Sequence, residues 1–240
     1  MNLLLFEPAE LSGGRLVIAD RRAHHLRTVL GVQVGDSIRA GELGGRAGNA
    51  RIVNDDGSAY TLEVTLEGAA PGPWDVELVL AVPRPKVITR TLEIAASFAV
   101  KRIDLTNAWR VDKSYLRSPR LDPAAMALAA RFGAEQGATT HIPTITLHDR
   151  LMALLHDRFA APAGLRLVAH PSAPPIEKAI ARVEPTVLAI GPEGGWIDRE
   201  LETLVARGFT PVSLGAPILR VEAAVASALG QLSLLQRLRA

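Results

Sequence analysis

The chain is predicted to be an α/β protein, with a C-terminal parallel sheet covered by helices on both faces and a smaller β-rich domain in front of it. Three observations carry this. From Val76 onward, short apolar runs alternate with helix-period stretches, as in parallel strands joined by crossover helices. Before that, brief strand-like segments are separated by Gly, Asp and Asn turns. Between the two regions, Glu67-Gly68-Ala69-Ala70-Pro71-Gly72-Pro73 has the small, Gly/Pro-rich composition of a domain boundary. The division is therefore placed at 1–70 and 71–240.

Length and composition bound the answer. The 240 residues, 48% hydrophobic and 22% charged, suffice for two cores. With no cysteine, disulfides, thiolate zinc sites and a Cys nucleophile are excluded. No apolar run approaches the roughly 20 residues that span a bilayer. The N-terminus lacks a basic region and soon meets Glu7 and Pro8, unlike a signal peptide. A soluble cytoplasmic protein is expected. The net charge is only +2, although the pI is near 9.3. Few groups titrate between His and Lys, so a small excess moves the pI far. Distribution says more than the total: residues 73–160 hold 12 basic and 9 acidic side chains, and arginine far outnumbers lysine. Arginine suits bidentate phosphate contacts and base stacking.

In the first domain, 3–6, 15–18, 37–40, 50–53 and 60–66 read as strands. Residues 23–30 read as a helix with Leu26, Val29 and Leu30 on its apolar side. The Gly-rich stretch 41–48 opens no helix, so it reads as a mobile hairpin rather than a phosphate loop. Arg21, Arg22, His24, His25 and Arg27 form a compact polar cluster. It suits phosphate and base contact, and equally a solvated helix start with one partly buried histidine. No metal site is expected, since His24 and His25 are adjacent, point to different sides of a helix and have no third ligand nearby.

The second domain opens with a near-continuous apolar strand at 76–82. Arg84 and Lys86 follow at its carboxyl end, either facing a site or as ordinary exposed charges. A helix with Leu92, Ala95, Ala96 and Ala99 on one side leads to a strand at 102–105. Residues 109–120 combine Trp109 and Tyr115 with Arg110, Lys113, Arg117 and Arg120. Cations track phosphates and aromatics stack on unpaired bases, so this is the best nucleic-acid candidate; the alternative is a solvated loop with its aromatics packed inward. Helices follow at 123–137, with Pro123 in the first turn, and at 147–159. A strand at 165–169 ends at His170-Pro171, and His170 serves equally well as a structural hydrogen-bonder.

The last fifty residues organise the rest. Residues 187–190 form a fully apolar run, a strand buried on both faces. Gly191-Pro192-Glu193-Gly194-Gly195 follows, where glycines permit positive φ and close approach to a ligand. It is neither a dinucleotide fingerprint nor a P-loop, and a purely structural turn remains an alternative. Asp198 is the expected N-cap of a helix with Glu200 and Glu202 in its first turn, a Leu201, Leu204, Val205 stripe and a stop at Gly208. A strand at 209–214 completes a parallel crossover. The second turn, Gly215 to Arg220, then enters a helix at 221–238 with a stripe of Val225, Leu229, Leu232 and Leu235. Its alanines allow close approach and suggest a subunit interface. Both turns sit at carboxyl ends of strands, where open α/β sheets bind ligands.

Gly191 to Gly195, Glu200, Gly208-Phe209, Val212, Leu214-Gly215 and Ile218-Leu219-Arg220-Val221-Glu222 closely resemble the SPOUT methyltransferases. Within them the pattern resembles the RsmE-type 16S ribosomal RNA uracil-N3 methyltransferases. The resemblance implies a deep trefoil knot, which pattern physics would not propose because knots are nearly absent from ordinary folds. It implies that S-adenosylmethionine is cradled by His170, Ile190, Gly191, Pro192, Glu193, Gly194, Gly195, Leu214, Gly215, Ile218, Leu219, Arg220, Glu222 and Ala223. It also implies a homodimer with both sites at its seam, 16S ribosomal RNA or the small subunit as partner, and a PUA-like RNA-binding front domain, where His24-His25-Leu26 and Val34-Gly35-Asp36 match. The 109–120 segment resembles that of one branch of the family. The chain departs from the family at Gly31, where an arginine is usual, after Glu135-Gln136, where Thr139, Thr140 and His141 stand near a missing arginine, and at Ala223, where a threonine is usual.

Methylating uracil N3 requires loss of its proton. Arg220 could stabilise charge on a carbonyl or the N3 anion, and Glu222 or Glu193 could act as base, with Arg220 and Glu222 merely neutralising each other as the alternative. Two further readings stay open: a non-catalytic RNA-binding or ribosome-assembly factor with a knotted fold, and a nucleotide-binding α/β enzyme of unrelated type, which the absent phosphate-loop fingerprints disfavour. A methyltransferase acting on another RNA site is a softer alternative.

Overall fold

The computed structural model describes residues 1–161, 163–181 and 184–239. The chain divides into two compact units, Met1–Gly72 with Ala134–Ile142, and Pro73–Gly133 with Pro143–Ala240. The short stretch from Ala134 thus clusters with the first unit, which sequence order alone did not indicate.

In the first unit, β1 (Leu4–Phe6), β2 (Leu11–Ser12), β3 (Arg15–Ile18), β4 (Ser37–Glu42), β5 (Ala47–Asp55) and β6 (Tyr60–Glu67) form one mixed sheet in the order β1-β4-β5-β6-β3-β2. Only β1 and β4 pair in parallel. Strand alternation sorts the N-terminal leucines. Leu4 and Phe6 pack with Leu16, Ile18, Ile52, Tyr60 and Leu62, whereas Leu3 and Leu5 pack with Ala134. The β5–β6 turn is organised by Asp56, whose carboxylate accepts from the Ser58 and Ala59 backbone N–H groups and the Ser58 hydroxyl. Helix α1 (Arg21–His25) is capped by Asp20, which accepts from the Arg22 N–H at 2.8 Å.

The predicted helix at 23–30 does not continue as an α-helix. Leu26–Leu30 is a π-helical turn closed by Gly31 at φ 62°. Its wider turn changes the angular position of each later residue, so Leu26 stays in the core while Val29 and Leu30 are 66% and 47% exposed. The expected apolar stripe is broken for that reason.

The second unit holds β7 (Trp74–Ala81), α2 (Pro85–Ser97), β8 (Val100–Thr106), most of α3 (Pro123–Gly137), β9 (Thr144–His148), α4 (Leu151–Arg158), β10 (Leu165–Ala169), β11 (Thr186–Ile190), α5 (Asp198–Ala206), β12 (Thr210–Val212) and α6 (Val221–Arg239). The sheet is wholly parallel, in the order β12-β10-β11-β7-β8-β9. Its central strands are buried on both faces, which is why Val76, Leu78, Val79, Leu80 and Ala81 read as a continuous apolar run.

Three expectations need correction. Residues 144–148 form strand β9, so the helix expected from Leu147 begins only at Leu151; Thr144, Ile145 and Thr146 are the β-branched residues that favour the strand. Strands β11 and β12 are not neighbours, because β10 pairs with both and separates them. Asp198 opens α5 but does not cap it. The cap position is Ile197, whose N–H is accepted by Glu200 at 3.1 Å.

Buried charge brackets this sheet. Asp104 is fully buried and accepts from Arg102 and Arg158 and bonds His148 Nε2 at 2.8 Å, while Arg158 also reaches Glu77 at 2.6 Å. Arg166 on β10 is buried, and its guanidinium donates to the carbonyls of Arg207 and Ala161. Those carbonyls follow α5 and α4, where helix dipoles favour a cation.

Candidate functional site

Because β12, β10 and β11 lie side by side and run the same way, their carboxyl ends open onto one place. The three loops that leave them enclose a cavity of about 430 Å³, within the size range of small-ligand pockets. His170, Pro171 and Ser172 come from the β10 loop, and Gly191 to Trp196 from the β11 loop. Leu214, Pro217, Ile218 and Leu219 follow β12, and Val221 and Ala224 are on the first turn of α6. Arg110, beyond β8, completes the wall.

The glycines stand where a side chain would be crowded or strained. A Cβ on Gly191 would lie 3.2 Å from the Trp196 indole, and one on Gly194 would lie 3.0 Å from Arg110 Cδ. Arg110 therefore lies directly over the turn, and its Nη1 donates to the Gly194 carbonyl at 2.5 Å. Gly195 takes φ 73° and closes the turn, with its N–H donating to the Pro192 carbonyl at 2.8 Å. Glu193 is exposed, and its carboxylate accepts from the Arg84 N–H at 2.9 Å, which ties the turn to the start of α2. His170 donates its backbone N–H to the Val212 carbonyl, and its Nδ1 accepts from the Ser172 N–H at 3.3 Å. That bond places the ring proton on Nε2.

A second carboxylate fixes the loop beyond β8. Glu200 is 5% exposed, and its two oxygens accept from the N–H groups of Trp109 and Ile197 at 2.8 and 3.1 Å. Val111 N–H donates to the Ala108 carbonyl, so Trp109 and Arg110 are the central residues of a tight turn. Ala108 and Val111 are buried on either side, and the Trp109 side chain is 78% exposed.

Of the sequence-predicted cofactor residues, His170, Ile190, Gly191 to Gly195, Leu214, Ile218 and Leu219 share this one cavity. Gly215, Arg220, Glu222 and Ala223 lie outside its lining. Gly215 borders a neighbouring groove with Ser213, Ala216 and Gln231. On the first turn of α6 the residues facing the cavity are Val221 and Ala224, three apart, and helical spacing turns Glu222 and Ala223 elsewhere. Arg220 is exposed, and among the described residues it makes no ion pair with Glu222. Arg110, Trp196, Pro217, Val221 and Ala224 were not foreseen in the wall. The i, i+3 spacing of the last two was the available signal.

The RNA candidates separate into two kinds. Arg22 is buried, and its guanidinium is occupied by Glu10, Asp20 and the Leu5 carbonyl. Burial works against its charge, yet the hydrogen bonds it donates to Glu10 and Asp20 raise its pKa above the ordinary arginine value. Arg21 forms a two-pronged pair with the buried Glu135 at 2.7 and 3.0 Å. Arg27 pairs with Asp55 and stacks over the Tyr60 ring. His25 is half-buried, and burial with the nearby N-terminal charge lowers its pKa. His24, Arg84, Lys86, Lys113, Arg117 and Arg120 are exposed, the last bonding Thr89 through Nη1. Tyr115 packs on the core while Trp109 does not, so the inward and outward alternatives each hold for one aromatic. The described residues contain no cluster of potential metal ligands, and no helix long and apolar enough to cross a membrane.

A family model described as RNA methyltransferase domain matches residues 70–233. The ribosomal RNA small subunit methyltransferase E of Treponema pallidum is 29% identical over 236 residues, covering 95% of this chain and 89% of that protein. A relative from Borreliella burgdorferi named ribosomal RNA small subunit methyltransferase E 1 is 25% identical over 232 residues, covering 95% of each. The fold matches the crystal structure of the Neisseria gonorrhoeae ribosomal RNA small subunit methyltransferase E bound to S-adenosyl methionine, with a TM-score of 0.78, 21% identity and 98% of both chains covered.

Proposed function

The chain belongs to the RNA methyltransferase family, among its RsmE-type members, and from that premise we propose that it methylates N3 of a uridine in 16S ribosomal RNA with S-adenosylmethionine as donor. The observation that carries this is the cavity built by three adjacent carboxyl-end loops of a parallel sheet. Its chemistry fits the cofactor. Ile190, Trp196, Leu214 and Leu219 offer apolar walls for an adenine, and the glycine turns offer close backbone for its polar edges. His170 Nε2 and Arg110 supply polar groups for the ribose and the amino-acid end.

When bound, the cofactor supplies an electrophilic methyl group on a sulfonium. The chain's own residues orient the two reactants and exclude water, which can account for roughly 7–11 kcal/mol of the barrier. Arg220, between the wall residues Leu219 and Val221 in sequence, is the proposed stabiliser of negative charge on the uracil as the N3 proton leaves. Glu222, half-buried on the same turn, is the proposed proton acceptor. Glu193 is the weaker choice, since its carboxylate already accepts from Arg84.

The finer architecture is part of the same proposal: a trefoil-knotted SPOUT domain at 71–240 behind a PUA-like RNA-binding domain at 1–70, acting in the cytoplasm. The placement of β12 beyond β10 supports the threaded topology. Exposed Leu234 and Leu238, four apart on α6, support a homodimer through that helix. His24, Arg84, Lys86, Lys113, Arg117 and Arg120 are the proposed RNA contacts.

Calorimetric titration of S-adenosylmethionine, followed by methylation of small subunits lacking the modification and nucleoside analysis of the product, tests the reading. The expected result is saturable binding near one cofactor per chain and appearance of N3-methyluridine. Arg220→Ala is expected to lower kcat at least a hundredfold. A folded protein that binds no cofactor at millimolar concentration sinks the proposal.

A further inference from the structure

We propose that the Trp109-Arg110 turn is the acceptor-base subsite, with the Trp109 indole as the platform on which an unpaired RNA base stacks. The inference rests on the RNA methyltransferase reading. Trp109 is 78% exposed, while its neighbours Ala108 and Val111 are each 6% exposed. An indole of 150–250 Å² would ordinarily be buried, and here Ala108 and Val111, which flank the turn, are buried without it.

The exposure is not that of a loose loop. The Val111 N–H to Ala108 carbonyl bond closes the turn, and Glu200 holds the Trp109 N–H at 2.8 Å from beneath. The second oxygen of Glu200 accepts from Ile197, directly after the β11 loop of the cavity. Arg110 makes another tie from the same turn, lying over Gly194 and bonding its carbonyl. Two independent bonds therefore fix the backbone that carries the indole relative to the loop proposed to hold the methyl donor. That is the requirement for an acceptor platform, because transfer depends on placing donor and acceptor in one geometry.

The occupant follows from charge and chemistry. Lys113, Arg117 and Arg120 lie within eleven residues of Trp109 along the chain and are exposed, so the surroundings suit a polyanion. A nucleobase presents a flat π-face, which an exposed indole stacks at about 1–3 kcal/mol per base. Arg110 lines the cavity wall itself, so its role is to brace the subsite against the donor loop rather than to track a distant phosphate.

The test titrates a short single-stranded uridine-containing RNA into wild type, Trp109→Phe and Trp109→Ala, following tryptophan fluorescence and anisotropy of a labelled RNA. The proposal expects strong quenching in wild type that is absent from Trp109→Phe. It expects RNA affinity weakened at least tenfold in Trp109→Ala and largely restored in Trp109→Phe. KM for the RNA substrate should rise in parallel, with the dissociation constant of S-adenosylmethionine unchanged. Unchanged RNA affinity in Trp109→Ala overturns the subsite, as does dissociation of an oligomer on that substitution, which would assign the indole to a second copy. The RNA titration needs no methyl transfer, so its failure is separable from failure of the enzymatic reading, which shows instead as absent cofactor binding in wild type.

Discussion

At the scale of single residues, the sequence shows which side chains are charged but not which charges are already spent. Arg21, Arg22 and Arg27 form a basic cluster by sequence, yet each is engaged by a carboxylate from elsewhere in the first unit. Glu135, which partners Arg21, is 114 positions away, beyond the reach of any local pattern. Gly191 and Gly194, in contrast, were legible, because a tight approach favours an absent Cβ and only glycine supplies it. Asp56 shows how a residue-level contact becomes a measurable property. Backbone hydrogen bonds from Ala59, then the Ser58 hydroxyl and N–H, hold its pKa at about 2, below the ordinary 3.8. A depressed folded-state pKa means stability that is present above the unfolded value and lost as pH falls through the folded one. Asp56→Ala is therefore expected to lower the melting temperature by a few degrees at neutral pH, with the deficit shrinking as pH is taken from 4 toward 2. Melting curves of both proteins across that range check it, and a deficit that is constant with pH would remove the carboxylate from the turn's stability.

At the scale of elements, periodicity found most strands and helices, and failed where geometry departs from the two standard periods. Residues 26–30 broke the apolar stripe because a π-turn advances each residue differently from an α-turn. The end of strand β9 was absorbed into the following helix because no strong stop signal separates Leu147 and His148 from Leu151. Asp198 looked like a cap from composition, whereas the cap is Ile197, whose carbonyl accepts from the Glu200 and Leu201 N–H groups that a capping Asp198 side chain would have taken. Helix α3 offers a sharper test of element packing. Gly133 approaches α2 so closely that an added Cβ would lie 2.2 Å from the Glu93 carbonyl oxygen and 2.8 Å from the Ala96 Cβ. Neither neighbour is a flexible side-chain end, so the helices must separate. Glycine in a helix interior ordinarily gains stability on replacement by alanine, but here Gly133→Ala is expected to cost about 1–3 kcal/mol by overpacking. Urea denaturation measures this directly, and a stabilised variant would mean that the helix contact is looser than described.

At the scale of the whole molecule, fold class was legible because alternation of strand and helix patterns is a global property that single errors do not disturb. The strand order was not, since β10 separates β11 from β12 and no sequence period encodes which strand lies beside which. The cavity was legible without the order, since loops at the carboxyl ends of parallel strands are where open α/β sheets form their crevice. Every residue lining the cavity belongs to the second unit, where the sequence also put the cofactor residues. The core of that unit, from Val76 through Leu232, is distinct from the core around Phe6, Tyr60 and Leu62 in the first. A ligand that binds only the folded second unit stabilises it by mass action, about 2.7 kcal/mol at a hundredfold excess over the dissociation constant. Hydrogen exchange with and without saturating S-adenosylmethionine resolves where that energy goes. Slower exchange is expected in β10, β11, α5 and the first turns of α6, where the loops converge, and then through the sheet that shares their core. Exchange in β3, β5 and β6 is expected to be unchanged, because those strands contribute nothing to the cavity. Protection appearing there first would place the cofactor in the other unit and overturn the assignment of the cavity.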